Sequence, residues 1–244
     1  MIDNLFGLIG QSLKHTFSPG YFTDKFNDLN LDGHSYTTFE FDDPDNIKNL
    51  KGRPEIKGLN VTIPYKEAIL SHLDAISEDA FNIGAVNTVK VVDGHWTGYN
   101  TDVMGFNDML ETIQQNRPTL QQALILGSGG ASKAVQYVCE KRNISFQVIS
   151  RKGEYNYDNL TSNMLQDADL IINTTPLGMY PNVNEKPNLD YSQISDKHSC
   201  IDLIYNPEKT LFLIECEANG ALIKNGHEML ISQAEHSWNI WNQP

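Results

Sequence analysis

The segment Leu124–Ala131 constrains the fold of this chain more than any other part of the sequence. An apolar run there passes directly into a glycine-rich turn, and apolar residues at helical spacing follow the turn. Glycines let the backbone of such a turn approach a pyrophosphate, and the N–H groups at the start of the next helix supply hydrogen-bond donors. This order predicts a dinucleotide-binding unit, although a tight turn that binds nothing has the same local pattern. The candidate cofactor-binding residues are Gly127, Ser128, Gly129, Gly130 and Ala131.

The chain around this segment repeats the same alternation. Strand-like runs at Ala123–Leu126, Phe146–Ile149, Asp169–Ile172 and Cys200–Ile204 are separated by segments long enough for helices. This spacing predicts a parallel sheet with helices on both faces. The segment Gly178–Lys197 is long and polar, which indicates either a mobile surface loop or a cover over a site.

The front half of the chain predicts a second α/β lobe. Ser18-Pro19 is typical of an N-cap followed by proline at the first helical position, and Pro64 predicts the start of another helix. Asp93-Gly94 separates two strand-like runs and predicts a hairpin turn. We therefore expect two domains, residues 1–101 and residues 102–224, with a final helix in 225–244 that packs back onto the first. The strand-like runs of this half are Leu5–Ile9, Ser35–Phe41, Gly58–Ile63, Val86–Val92 and His95–Tyr99.

Charge and cysteine content exclude several classes of function. The chain carries 18 Lys and Arg against 31 Asp and Glu, a net charge of −13. Phosphates would be repelled, so nucleic acid and anionic membranes are not expected as partners. The three cysteines form no CxxC pair and the histidines show no ligand spacing, so we expect neither a disulfide framework nor a metal site. The N-terminus does not resemble a signal peptide and no apolar run would span a bilayer, which indicates a cytoplasmic protein.

The residues after the next strand bear on the identity of the cofactor. Ser150, Arg151 and Lys152 lie about 20 residues beyond the glycines, where a dinucleotide fold places the residue that contacts the adenosine ribose. An acid there is typical of NAD binding, whereas two cations suit the 2′-phosphate of NADP. We therefore expect NADP as the cofactor, although an exposed turn with ordinary charges would contain the same residues.

Two charged residues are candidates for acid–base chemistry. The predicted helix after Pro64 puts Lys66 in its first turn, where the helix dipole disfavours a cation and would lower the pKa of the amine. Such a lysine suits proton transfer at neutral pH, although a solvated lysine tolerates the same position at small cost. Asp102 begins a further helix, either as a plain N-cap or as a carboxylate paired with Lys66.

Several segments, taken in order, resemble the shikimate dehydrogenase family. The most specific is Asn60–Lys66 (Asn-Val-Thr-Ile-Pro-Tyr-Lys), which is followed by Gly84–Thr88 and Gly98–Asp102 at the family's spacing. The resemblance extends from about residue 7 to about residue 240. The other matching segments are Ser12–Pro19, Gly127–Ala131, Asn173–Pro176, Asp202–Pro207 with Thr210, and Gly226–Ala234.

The resemblance implies a two-lobed α/β protein, with an N-terminal substrate lobe and a Rossmann-type lobe whose doubly wound parallel sheet binds NADP. It implies the reversible reduction of 3-dehydroshikimate to shikimate, a step of chorismate and aromatic amino acid biosynthesis. Lys66 matches the family's catalytic lysine and Asp102 its aspartate partner. The substrate-binding positions are matched by Thr16, Ser18, Thr62, Asn87, Tyr205 and Gln233. Further cofactor-binding positions are matched by Thr174, Leu203 and Gly226.

Two other functions stay open. A quinate/shikimate dehydrogenase of the same family would use NAD, which Arg151 and Lys152 disfavour. A nucleotide-binding relative without catalysis would be free to lose Lys66 or Asp102, and both are present. The expected partners are shikimate and 3-dehydroshikimate, and the chain is expected to be a monomer or a homodimer.

Overall fold

The computed structural model describes residues 3–14 and 16–243. The chain divides into two compact units: the residues up to Thr101 together with the segment from Ala234 onward, and Asp102–Gln233. The division after residue 101 coincides with the expected one, whereas the returning segment begins at Ala234 rather than at residue 225. His15, which belongs to the first family-like segment, lies outside the described residues.

Each unit contains its own sheet. The elements up to the first boundary are β1 (Asn4–Gly10), α1 (Ser18–Asp28), β2 (His34–Glu40), β3 (Ile56–Val61), β4 (Ala75–Ile76), α2 (Glu78–Ile83), β5 (Thr88–Val92) and β6 (His95–Tyr99). The following elements are α3 (Thr101–Gln114), β7 (Gln122–Leu126), α4 (Gly130–Lys141), β8 (Ser145–Ile149), α5 (Ser162–Asp167), β9 (Leu170–Asn173), β10 (Ser199–Asp202), α6 (Leu211–Ala218), β11 (Leu222–Lys224) and α7 (His227–Asn242).

The first unit is built on a mixed sheet in the order β2-β1-β3-β5-β6-β4. β1 pairs in parallel with β2 and β3, whereas β5 pairs antiparallel with both β3 and β6. The hairpin between β5 and β6 is confirmed, and Asp93 and Gly94 have φ values of 51° and 79°. Both turn residues thus adopt the left-handed conformation that a two-residue hairpin turn requires, and Asp and Gly tolerate it.

The C-terminal end of α7 packs on the first sheet, as expected for the final helix. Trp241 Nε1 donates to the Val89 carbonyl at 3.0 Å. A Cβ placed on Gly58 would lie 2.4 Å from Trp241 Nε1, so β3 must carry a glycine opposite the indole. The core of this unit also contains the fully buried side chains of Ile9, Leu59, Ile69 and Trp96.

The prediction that a helix begins at Pro64 is wrong. Residues 64–67 form a turn, a short 3₁₀ helix covers Ala68–His72, and the chain then enters β4. The Lys66 carbonyl accepts from the Val86 N–H at 2.8 Å, so a tertiary contact takes the acceptor that a helix would have used. Lys66 therefore lies before a helix rather than in its first turn, and the dipole argument for its pKa does not apply. The predicted cap of α1 is also displaced, since the helix includes Ser18.

The second unit has the predicted doubly wound parallel sheet. Its strands are all parallel, in the order β11-β10-β9-β7-β8. Alternate residues of β7 face opposite sides, so Ala123 and Ile125 pack in one core while Leu124 and Leu126 pack in another. Buried residues Leu189 and Ile194 attach the long polar segment to the second of these cores, so it is not simply a surface loop. No helix among the described residues is long and apolar enough to span a membrane.

Candidate active site

Polar residues of the first unit gather where β1 and β3 end. Thr62 follows β3, and its N–H donates to the Ile9 carbonyl of β1 at 2.9 Å. Asn87 precedes β5, which runs antiparallel to β3, and its carbonyl accepts from the Val61 N–H at 2.8 Å. Thr62 and Asn87 therefore lie at the same edge of the sheet, which we call the polar edge of the first unit.

The other predicted residues of this unit follow strands that end at the polar edge. Thr16 and Ser18 come after β1, and the Thr16 hydroxyl donates to the Leu13 carbonyl at 3.1 Å. Ser18 is buried and hydrogen-bonds Tyr36. Lys66 is half-buried in the turn that begins immediately after Thr62. The topology thus brings three hydroxyls, an amide and an amine to the polar edge.

The orientation of the Asn87 side chain is fixed by its hydrogen bonds. Asn87 Oδ1 accepts from the Thr101 N–H at 2.7 Å, from Thr101 Oγ1 at 3.2 Å and from Thr88 Oγ1 at 3.1 Å. The amide oxygen therefore faces the start of α3, and the amide nitrogen is the group that can donate. Asn87 can serve as a donor to a ligand hydroxyl only with this side of its amide.

Asn87 is hydrogen-bonded through Thr88 to a buried polar network that sequence reasoning missed. Asn60 Nδ2 donates to Ser237 Oγ at 2.9 Å, and Ser237 also bonds Thr88 at 2.8 Å. Tyr36 donates its phenol to Asn60 Oδ1 at 2.8 Å, and burial raises the pKa of that phenol above its usual value. The network connects α7 to the strand ends that carry the site. Its only local signal was the Asn60–Lys66 motif.

The predicted cofactor-binding residues of the second unit, together with Tyr205, lie at one edge because its strands are parallel. The glycine turn follows β7, and the Ser150–Lys152 segment follows β8. Thr174 follows β9, Leu203 and Tyr205 follow β10, and Gly226 follows β11. In an open parallel sheet, the carboxyl edge is where ligands bind. We call this the carboxyl edge of the second unit.

The glycine turn fits a pyrophosphate. Gly127 has a φ of 111°, and a Cβ there would lie 2.7 Å from Thr174 Oγ1, so only glycine suits the position. A Cβ on Gly129 or Gly130 would meet no atom within 4 Å, which leaves open space over the turn. α4 begins at Gly130, and its N-cap is Gly129. A glycine has no side chain that could accept from the first N–H groups of the helix. Exposed donors and space together suit a bound phosphate.

Two hydroxyls hold this turn in place. Thr174 Oγ1 donates to the Leu126 carbonyl at 2.7 Å. Ser132 Oγ donates to the Gly127 carbonyl at 2.7 Å, and Ser132 is fully buried in α4. Ser132 was not among the predicted residues, and its position two residues into the helix was the only signal for it.

The two cations after β8 are exposed on a tight turn. The Gly153 N–H donates to the Ser150 carbonyl at 3.2 Å, and the Ser150 N–H donates to the Tyr155 carbonyl at 3.0 Å. Arg151 and Lys152 lie at the tip of this turn and are exposed. A turn with two accessible cations can receive a phosphate, as the 2′-phosphate of NADP would require.

The strand ends of β10 and β11 approach each other closely. The Gly226 N–H donates to the Ile204 carbonyl at 3.0 Å. A Cβ on Gly226 would lie 2.1 Å from the Leu203 carbonyl oxygen, so no larger residue fits. Leu203 is half-buried and Tyr205 is exposed at this edge.

Asp102 and Gln233 lie on α3 and α7, which approach each other at Gly105. Asp102 lies in the first turn of α3 and is buried; because the helix begins at Thr101, Asp102 is not the plain N-cap that one interpretation predicted. A Cβ on Gly105, one turn further, would lie 3.2 Å from the Gln233 nitrogen. The Gln233 side chain is half-buried, and its Nε2 donates to the Leu230 carbonyl at 3.0 Å.

Comparison with known proteins agrees with these features. Residues 8–89 match the family model described as the shikimate dehydrogenase substrate binding domain. A shikimate dehydrogenase (NADP(+)) of Clostridium beijerinckii is 38% identical, with 98% of this chain and 92% of that protein covered. The chain belongs to the shikimate dehydrogenase family. The family resemblance inferred from the sequence is thereby confirmed.

Solved structures of this family have the same fold. The shikimate 5-dehydrogenase of Thermus thermophilus, in complex with NADP(H) and shikimate, is 30% identical with a TM-score of 0.85, and 98% of this chain and 93% of that chain are covered. A quinate dehydrogenase from Corynebacterium glutamicum, in complex with NAD, is 26% identical with a TM-score of 0.87, and the coverage is 98% and 94%. Among the described residues, no group of three His, Cys, Asp or Glu side chains is arranged to hold a metal ion.

Proposed function

We propose that this chain is an NADP-dependent shikimate dehydrogenase that reversibly reduces 3-dehydroshikimate to shikimate. The observation that carries this function is the 38% identity to a shikimate dehydrogenase (NADP(+)) over nearly the whole of both chains. The chain is an oxidoreductase that acts on a CH–OH group. Its proposed place is the shikimate pathway, upstream of chorismate and the aromatic amino acids.

The polar edge of the first unit is proposed to bind the substrate. Shikimate carries a carboxylate and three hydroxyls, and each needs a hydrogen-bond partner when it leaves water. Thr16 and Ser18 would receive the carboxylate, while Thr62 and Asn87 would pair with ring hydroxyls. Gln233 and Tyr205 stay substrate contacts that the family resemblance implies. A substrate lacking a hydroxyl would leave these groups unpaired, which provides selectivity.

Lys66 is the proposed proton-transfer residue. When shikimate is oxidised, its C3 hydroxyl loses a proton, and an amine within hydrogen-bond reach is a suitable acceptor. In the reverse direction the same amine, protonated, donates to the forming C3 hydroxyl. The pairing of Lys66 with Asp102 stays a prediction from the family resemblance.

The carboxyl edge of the second unit is proposed to hold NADP. The N–H groups at Gly129–Ala131, with Gly127 and Ser128, would bind the pyrophosphate. Ser150, Arg151 and Lys152 would hold the 2′-phosphate, and Thr174, Leu203 and Gly226 would line the nicotinamide side. When bound, NADP⁺ supplies the hydride acceptor for the substrate carbon, which no side chain of this chain can provide.

An absorbance assay at the NADPH band tests this function. Purified protein is supplied with shikimate or quinate, and with NADP⁺ or NAD⁺ in each case. We expect the highest kcat/KM with shikimate and NADP⁺. Preferred turnover of quinate with NAD⁺ would identify the alternative function, that of a quinate/shikimate dehydrogenase. The similar structure from Corynebacterium glutamicum is a quinate dehydrogenase in complex with NAD. No turnover in any combination would instead support a non-catalytic relative.

Three further features are proposals that rest on the sequence. A cytoplasmic location is proposed, and nucleic acid is not a proposed partner because the chain is acidic. A monomer or homodimer is the proposed assembly. Sedimentation velocity at micromolar concentration distinguishes these two from any larger oligomer.

A further inference from the structure

A buried carboxylate with three hydrogen-bond donors lies at the end of β10. Asp202 is fully buried, and its Oδ2 accepts from Thr210 Oγ1 at 2.6 Å. Its Oδ1 accepts from the Ile204 N–H at 3.0 Å and from Asn173 Nδ2 at 3.1 Å. One carboxylate therefore connects the end of β9, the turn after β10 and the start of α6.

Asn173 extends this connection into the loop after β9. Its Oδ1 accepts from the Thr175 N–H at 3.0 Å and from the Thr175 hydroxyl at 2.6 Å, and its carbonyl accepts from the Leu203 N–H at 3.0 Å. The loop after β9 carries Thr174, and the turn after β10 begins with Leu203. The conformations of both proposed cofactor contacts thus depend on the hydrogen bonds of Asp202.

The burial of Asp202 is unfavourable for folding at neutral pH. Removal from water raises the pKa of its carboxyl to about 6, and its three hydrogen bonds oppose this rise only in part. The ionised carboxylate therefore stabilises the folded unit less than a neutral side chain of the same shape would. Its contacts with cofactor-side segments explain its presence better than a contribution to stability does.

Other titratable groups lie on β10 and on the elements packed against it. The four residues of β9 include none, while β10 and α6 contribute the buried thiols of Cys200 and Cys216. The charged side chains on β11 and α6 are each in an ion pair. These pairs are Lys224 with Glu228, Glu215 with Lys186, and Glu217 with Lys209. His227 begins α7 directly after Gly226, and the change of charge that the proposal uses is that of Asp202.

We propose that Asp202 is a positioning residue for the nicotinamide side of the cofactor site. Its ionised carboxylate holds the segments that carry Thr174 and Leu203 in the conformation that binds the dinucleotide. This inference rests on the proposed function, because it requires NADP to bind at the carboxyl edge of the second unit. It assigns Asp202 no contact with the cofactor itself.

Calorimetric titration of the full chain with NADP⁺ between pH 5 and pH 8 tests the proposal. Asp202→Asn keeps the shape of the side chain but removes its charge and turns one acceptor into a donor that faces Thr210. We expect the Kd for NADP⁺ to rise about tenfold at pH 8, the size expected for a lost charge-assisted hydrogen bond. The difference from wild type should vanish towards pH 5, where the wild-type carboxyl is also neutral. The 2′-phosphate of the cofactor also changes its protonation in this pH range. Its effect on Kd is the same for both proteins and cancels in the ratio of the two Kd values.

Variants of Thr210 provide a second readout. Thr210→Val removes the donor that lowers the pKa of Asp202, so the pH at which NADP⁺ affinity falls should move upward. Thr210→Ser restores the hydroxyl and should restore the wild-type profile. Thr161→Val is the matched control, because Thr161 caps α5 as Thr210 caps α6 but belongs to a different helix start.

A second control matches the carboxylate. Asp169 Oδ2 accepts from the Gln121 and Gln122 N–H groups at 2.7 and 3.0 Å, at the opposite edge of the same sheet. Unchanged NADP⁺ affinity in Asp202→Asn at pH 8, or an equal loss in Asp169→Asn, would overturn the proposal. An unmoved pH profile in Thr210→Val would overturn it too. If wild-type protein fails to bind NADP⁺ at all, the proposed function falls and this inference with it, so the two failures are distinguishable.

Discussion

Among single residues, Arg151 and Lys152 are proposed to determine which dinucleotide the chain prefers. Both are exposed on the turn after β8, and no acid accompanies them in the Ser150–Lys152 segment. An arginine can bind a phosphate through two parallel hydrogen bonds, whereas the 2′-hydroxyl of NAD offers it far less. Discrimination between NADP and NAD is therefore assigned to side-chain charge at this turn.

Arg151→Ala should raise the KM for NADP⁺ by about tenfold to a hundredfold, the loss expected for a hydrogen bond between charged groups. The KM for NAD⁺ should change little, because NAD⁺ has no 2′-phosphate. Initial rates with shikimate and each cofactor measure both values. Arg53→Ala is the control, since Arg53 is an exposed arginine of the first unit that pairs with Glu55. Equal effects of Arg151→Ala on the two cofactors would remove the 2′-phosphate argument.

The buried carboxyl of Asp202 makes stability depend on pH. Its pKa is about 6 in the folded chain, above its ordinary value, so folding favours the protonated form. The stability that this group contributes is present in full below about pH 4 and is lost as the pH rises through about 6. From pH 5 to pH 7.5, wild type should lose about 1.4 kcal/mol of unfolding free energy relative to Asp202→Asn.

Urea unfolding of wild type and Asp202→Asn at these two pH values measures that difference. Asp169→Asn serves as the control, because Asp169 is a half-buried carboxylate of the same sheet that accepts from two backbone N–H groups at the opposite edge. A wild-type protein that gains stability relative to Asp202→Asn as the pH rises would contradict the assigned direction.

At the scale of elements, the glycine turn before α4 contains glycines with different roles in folding and in ligand binding. Gly127 has a left-handed backbone and no space for a Cβ, whereas Gly129 has extended backbone and open space above it. The first glycine is therefore required by the fold, and the second is available for close approach of a ligand. The same motif thus contains two kinds of glycine.

Gly129→Ala should leave the free energy of unfolding within about 1 kcal/mol of wild type, the usual range for a change at an N-cap. The same substitution should weaken NADP⁺ binding, because the added methyl group occupies the space proposed for the pyrophosphate. Gly127→Ala should instead destabilise the second unit. Thermal unfolding and calorimetric titration measure the two effects, and Gly20→Ala, with no atom within 4 Å of its added Cβ, is the control. Normal NADP⁺ affinity in Gly129→Ala would argue against a phosphate at this turn.

Elements with a local physical cause were predictable from the sequence. The β5–β6 hairpin follows from Asp93-Gly94, since these residues accept the required backbone, and the parallel sheet follows from the alternation of strands and helices. α2 was missed although Ser77 caps it and Gly84 ends it, so its signals were present in a helix of six residues. The three-residue strand β11 was missed because so short a run has little pattern of its own.

Features that depend on distant contacts were not predictable. The helix expected after Pro64 fails because the Lys66 carbonyl bonds Val86, twenty residues away in sequence. The Asn173–Asp202 hydrogen bond joins residues 29 apart, so the Asp202–Pro207 motif alone did not show what Asp202 contacts. The site residues themselves came from family-like motifs, and the sheet topologies then explain why each set lies at one edge.

For the whole molecule, a net charge of −13 opposes the binding of anionic ligands. Shikimate and NADP⁺ are both anions, so hydrogen-bond donors and cations at the site must outweigh the repulsion by the net negative charge. The first unit offers hydroxyls, an amide and Lys66 at its polar edge, and the second offers helix N–H groups with Arg151 and Lys152. The proposed function divides the reaction accordingly, with proton transfer assigned to the first unit and the cofactor to the second.

Lys66 is proposed to transfer the proton in NADP-dependent oxidation of shikimate. Lys66→Met should lower kcat by about a hundredfold to ten-thousandfold, the usual size of a lost acid–base group. Lys48→Met, a change of an exposed lysine in the same unit, should leave kcat unchanged. The decisive measurement pairs NADPH absorbance kinetics with calorimetric binding of shikimate to Lys66→Met. Retained shikimate binding with a severely lowered kcat is the predicted result, and a kcat near that of wild type would contradict the assignment of Lys66.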